Sequence, residues 1–159
     1  MTTNLRAGLL SAAGLLVLAS TTHAQSAVGF WLTTDGQAVV HIEDCGASGL
    51  CGYLVGLRPR CEGDVGRDIK NPDETKRDVP LCGLMILGSL KPSSDTPGKW
   101  EDGWAYDPDS GNTYSGQMQL EGPDTLKLRG YVGIPLLGRS ETWARETVAN
   151  NRCTPPAGN

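Results

Sequence analysis

Across Trp100 to Arg145 this 159-residue chain lacks any helical period to match its alternation, which argues against a helical bundle. After position 19 no apolar run approaches the roughly 20 residues of a transmembrane helix, so no membrane span is expected. Basic residues are the minority, 14 against 18 acidic, for a net charge of −4. A surface that tracks phosphates needs the opposite balance, which argues against nucleic acid as a partner. The 5 cysteines include no C-x-x-C pair, so thioredoxin-type redox chemistry is not indicated. There is no internal repeat, and no residue pattern asks for a cofactor or a metal.

What is present begins with a leader. One positive charge at Arg6, an apolar run from Ala7 to Ala19 and small residues ending at Ala24 read as a secretory signal peptide, residues 1–24. The first cysteine is Cys45, far from any lipidation distance. The expectation is a periplasmic or secreted protein. Of the basic residues only Arg6 lies in the leader and none of the acidic ones does, so the charge of −4 becomes −5 on its removal. The remainder forms one domain, residues 25–150, followed by a flexible tail, 151–159.

Alternation and turn chemistry predict eight strands. Phe30 to Thr34 and Gln37 to Asp44 flank Asp35-Gly36, a strong hairpin signal. Cys51 to Arg58 follows, then a charged loop from Arg58 to Pro80 with one helical turn near Asp73 to Lys76, then the apolar run Leu81 to Leu90. The last four, Lys99 to Asp107, Asn112 to Glu121, Asp124 to Val132 and Gly138 to Glu146, form a meander with Pro and Gly at its turns. Parity places Trp100, Trp104 and Tyr106 on one face, and Leu126 and Leu128 opposite Lys127 and Arg129. The predicted fold is all-β: an eight-stranded antiparallel up-and-down barrel with one long loop between strands 3 and 4.

In an oxidising compartment the cysteines pair by default. Cys45 and Cys51 enclose a flexible five-residue loop and pair first. The second bridge is placed between Cys61 and Cys82, with Cys153 as the alternative partner of either. A zinc site of His41, Cys45 and Cys51 gives way to the disulfide.

Gly29-Phe30-Trp31 opens the first strand, and Trp143-Ala144-Arg145 closes the last. The pattern resembles lipocalins and other calycins. The resemblance implies a structural plug of Trp31, Trp143 and Arg145, with the guanidinium over an indole face at one end of the barrel. A wider set resembles the bacterial domain of unknown function 2147 family: Asp44-Cys45, Leu50-Cys51-Gly52, Asn71-Pro72 with Arg77, Leu81-Cys82-Gly83-Leu84, Tyr106-Asp107-Pro108, Leu128-Arg129-Gly130-Tyr131-Val132-Gly133 and Gly138-Arg139. This implies a secreted or periplasmic calycin-like barrel whose ligand is not established.

No catalytic constellation stands out. Ser140 lacks the closing glycine of a nucleophile elbow, and His41 alternates with Val40 and Ile42 as an outward strand residue. Asp107, Asp109 and Gly111 imitate a calcium loop, but Met118 stands where its glutamate should be. Glu101, Asp102 and Glu141 read as solvated strand charges, and Asp64, Asp68, Asn71 and Asp73 as turn caps. The expected function is a non-catalytic binder or carrier of a small, partly apolar or acidic ligand. Trp100, Trp104, Tyr106 and Tyr114 are the candidate apolar wall, and Arg129, Tyr131 and Arg139 the candidate partners of an acidic group. The alternative is an envelope protein-protein interaction module with a filled core and an unknown partner.

Overall fold

A computed structural model describes residues 26–57, 66–146 and 153. The expected leader, Cys61 and the tail other than Cys153 lie outside the described residues. The strands are β1 (Gly29–Leu32), β2 (Ala38–Asp44), β3 (Leu50–Leu57), β4 (Met85–Pro92), β5 (Lys99–Asp107), β6 (Asn112–Gly122), β7 (Thr125–Tyr131) and β8 (Arg139–Glu146). All neighbours are antiparallel, and the order β1 to β8 closes into a barrel. Closure leaves no free sheet edge. Among the described residues only three short 3₁₀ turns are helical, one of them Glu74–Lys76, capped by the Asp73 side chain.

Antiparallel order sends the connections alternately to two ends. The β1–β2, β3–β4, β5–β6 and β7–β8 connections gather at one end, called the mouth here. At the other end Trp31 is fully buried, and the Arg145 guanidinium carbon stands 4.2 Å from its ring centroid. Arg145 also donates to the carbonyls of Pro123 (2.7 Å), Val28 (3.2 Å) and Ser26 (2.9 Å), and Trp31 Nε1 donates to Ala27 O (2.8 Å). One guanidinium therefore ties both chain ends and the β6–β7 turn across the barrel base.

The core fills the barrel next to this base. Trp31, Val40, Ile42, Leu87, Leu90, Met118 and Leu126 are almost wholly buried, each contributing about 1.5–3 kcal/mol by leaving water. Along β6 and β7 the pleat holds as expected: Gly116, Met118 and Leu120 face in beside Leu126 and Leu128, with Lys127 and Arg129 on the other face.

On β5 it does not hold. Trp100 pairs with Met118 and Gly103 with Gly116, so three steps on β5 oppose two on β6, and Asp102 takes φ 60° to absorb the extra residue. Trp100 consequently faces inward with Gly103 and Ala105. Trp104, opposite exposed Ser115, and Tyr106, opposite exposed Thr113, face outward. The three aromatics do not share a face.

Two further expectations are corrected. The fourth strand begins at Met85 because residues 81–84 form a turn, in which Leu84 N–H donates to Leu81 O and Gly83 has φ 84°. Disulfides join Cys45 to Cys51, and Cys82 to Cys153 rather than to Cys61. Cys153 N–H also donates to Val55 O on β3.

Candidate functional site

The mouth opens into a cavity of about 470 Å³. Its floor and walls are Ala38, Leu54, Leu57, Leu81, Ile86 and Trp143. Its rim is polar: Thr33, Thr34, Asp35 and Gln37 from the β1–β2 hairpin, Asp107 to Asp109 from the β5–β6 turn, and Glu141 from β8. The volume falls in the range of small-molecule sites, and the layout of apolar floor and polar rim is their usual one.

Local turn chemistry sets the rim. Asp35 Oδ1 accepts from Gln37 N–H (3.0 Å) and Thr33 Oγ1 (2.7 Å), while Gly36 supplies the φ of 69° that closes the hairpin. The backbone N–H of Gln37, then the Thr33 hydroxyl, hold the Asp35 carboxyl below its ordinary range, so it stays ionised. Asp107 accepts from Asp109 N–H (3.0 Å) and Ser110 Oγ (2.6 Å). On β8, Glu141 faces inward opposite Leu128, and its Oε2 accepts from Trp143 Nε1 (2.8 Å). Thr34 Oγ1 donates to Thr142 O (2.9 Å) and accepts from Thr142 N–H (3.0 Å), standing in for a main-chain partner where β1 has ended.

The aromatics and basic residues singled out from the sequence are not brought together. Trp100 lies inside near the base; Trp104 lies outside, its indole over Gly88, where a Cβ would come within 2.6 Å of the ring. Tyr106 lies outside with its hydroxyl on Asp68. Tyr114 shares the inner face with Ala105, near Gly130. Arg129 is on the outer face, donating to the carbonyls of Pro135 (2.6 Å) and Leu136 (3.2 Å) and to Ser140 Oγ (2.8 Å). Tyr131 pairs with Ser115 on that same face. Arg139 pairs with Gly130 and is exposed. None of the seven lines the cavity.

The expected plug is divided. Arg145 stacks on Trp31, whereas Trp143, opposite Leu126 and only 2% exposed, forms part of the cavity floor. Sequence reasoning missed Asp35, Asp109, Leu54 and Leu57 as lining residues; Glu141 is an exposed strand charge as expected, and it also stands on the cavity rim. The available signal was parity: Glu141 precedes Trp143 by two residues and so shares its face. Glu101 is bound to Lys99 (2.6 Å) on the part of β5 nearest the base, so it forms no carboxylate pair with Glu141. His41 stacks on Phe30 outside the barrel. Among the described residues no three His, Cys, Asp or Glu side chains form a group able to hold a metal ion, and no helix is long and apolar enough to cross a membrane. A smaller depression of about 240 Å³ on β5–β8 is lined mainly by polar and charged side chains, including the Lys127–Glu121 ion pair (3.1 Å).

Comparison with known proteins agrees with this architecture. The fold is similar to that of "Protein HP1028 from the human pathogen Helicobacter pylori", whose description places it in the lipocalin family; the TM-score is 0.67 at 18% identity, over 77% of this chain and 84% of that one. No curated protein sequence matches the chain. Residues 29–145 match the family described as "Uncharacterized protein conserved in bacteria (DUF2147)", and the chain belongs to that family.

Proposed function

We propose that the protein is a periplasmic or secreted, non-catalytic carrier that holds a small, partly apolar molecule in the mouth of its barrel. One observation carries the reading: an open cavity of about 470 Å³ with an apolar floor, at the end opposite the Trp31–Arg145 base. Two disulfides and the leader-like N-terminus support an oxidising compartment. Native mass spectrometry of protein purified from its own envelope tests the proposal. The expected result is a co-purifying small molecule that is lost from a Leu57→Trp variant, whose indole would occupy the cavity. Ligand-free spectra for both proteins would count against it.

A second reading, an interaction module, draws on a different observation. Among the described residues Val28 is the one large exposed apolar side chain at the base; Ile69, Val79, Met85, Val132, Ile134, Leu136 and Leu137 all lie on elements that meet at the mouth. A partner recovered at stoichiometric ratio with no small molecule would favour this reading.

A further inference from the structure

We infer that the molecule taken by the mouth cavity carries a cationic amine on an apolar body, rather than the acidic group expected from the sequence. The inference rests on the reading of the cavity as a ligand site and specifies its chemistry.

The charges around the cavity are one-sided. Asp35, Asp107, Asp109 and Glu141 line it, and no lysine, arginine or histidine does so among the described lining residues. Asp35 and Asp107 are fixed by their own turns, each held by a backbone N–H and a hydroxyl, so they act as stationary negative charges at the rim. Glu141 differs. Its Oε2 is oriented by Trp143 Nε1, while its Oε1 accepts no hydrogen bond from the described residues. Glu141 is an exposed carboxylate on the inner face at the rim, and with one oxygen anchored by the floor's indole N–H and the other open it is an acceptor for an N–H cation.

The bases near the mouth keep their charge but stand outside the cavity lining. Lys70 commits its ammonium to the main-chain carbonyl of Asp109. Arg129 is spent on the β7–β8 turn outside the barrel. Arg139, two residues before Glu141 on the same strand face, is exposed and does not line the cavity. Arg67 donates to Asp78 O, and Arg77 pairs with Glu74 (3.1 Å), both within the β3–β4 connection. A carboxylate ligand entering here would meet four like charges around the rim, three of them exposed, whereas an ammonium would meet an unfilled acceptor.

Isothermal titration of the mature protein at neutral pH and low salt with octylamine, octanoate and 1-octanol separates the outcomes. Octylamine is expected to bind at least about tenfold more tightly than octanoate, a difference of about 1.4 kcal/mol. Added salt should narrow that gap. Glu141→Gln, which keeps an acceptor for Trp143, should shrink the ratio of amine to alcohol affinity. Asp109→Asn, at a side chain that makes no hydrogen bond among the described residues, should shrink it less and serves as the variant least exposed to folding effects. Equal binding of the three probes, or a preference for octanoate, overturns the amine assignment while the carrier reading stands. Failure of all three to bind overturns both.

Discussion

Tyr106 donates its hydroxyl to Asp68 Oδ1 across 2.7 Å, and Asp68 is 1% exposed. The other carboxylate oxygen accepts from Asn71 Nδ2, also at 2.7 Å, and no basic side chain pairs with it among the described residues. A buried carboxylate satisfied by neutral donors depends on every one of them. The pair pins the β3–β4 connection onto the outside of β5, and the outward turn of Tyr106 follows from the bulge at Asp102.

Tyr106→Phe should therefore orphan one Asp68 oxygen and lower stability by about 1–3 kcal/mol, read as a lower urea midpoint at unchanged slope. The wild type also predicts a pH signature. Burial, then the hydrogen bond and charge of Asp68, push the Tyr106 phenol up to about 12. The folded state thus favours the protonated phenol. That contribution is complete below the ordinary tyrosine value of about 10 and disappears as pH rises to about 12. The stability gap between wild type and Tyr106→Phe should close over that window; a constant gap would refute the assignment.

Arg145→Lys keeps the charge but cannot reach three carbonyls and a ring together. A loss of about 2 kcal/mol or more is expected in equilibrium denaturation, together with altered tryptophan emission from Trp31. A variant as stable as the wild type would show that the base closes without the guanidinium.

The two disulfides should differ in weight. Cys82 and Cys153 are 71 residues apart, Cys45 and Cys51 only 6. Loop-closure entropy gives about 4 kcal/mol for the first and about 2 kcal/mol for the second. Paired serine variants compared by thermal unfolding would test the order, and peptide mapping should recover Cys82 linked to Cys153.

Gly111 ends the β5–β6 turn with φ 74°, and a Cβ there would press on the carbonyl oxygen of Lys70. Gly111→Ala should destabilise the protein by more than about 1 kcal/mol and separate the β3–β4 connection from the rim, visible as faster amide exchange in both segments.

The legible parts of the fold are those with local chemistry. Asp35-Gly36 and Asp107 through Gly111 mark their turns by residue type, and alternation along β6 and β7 marks the inner face of the barrel. The bulge in β5 carries no such mark, because Asp102 takes a positive φ without being glycine. Every parity assignment carried across it inverts, which is how Trp104 and Tyr106 came to be expected beside Trp100. The second disulfide depends on where Cys153 meets Val55, a contact made by tertiary structure over a long sequence distance. The cavity is similar: Asp35, Asp109 and Glu141 read singly as turn or strand charges, and only closure of the barrel brings them to one rim.

The seam between β1 and β8 has three paired residues, Phe30, Trp31 and Leu32 against Glu146, Arg145 and Ala144. Toward the mouth, Thr34 extends it through a single hydroxyl that both gives to and takes from Thr142. Turning one χ1 angle releases both bonds at a cost of about 1–3 kcal/mol, with the main-chain ladder intact. The rim of the seam is thus closed by one side chain rather than by main-chain pairs, and that side chain also lines the cavity.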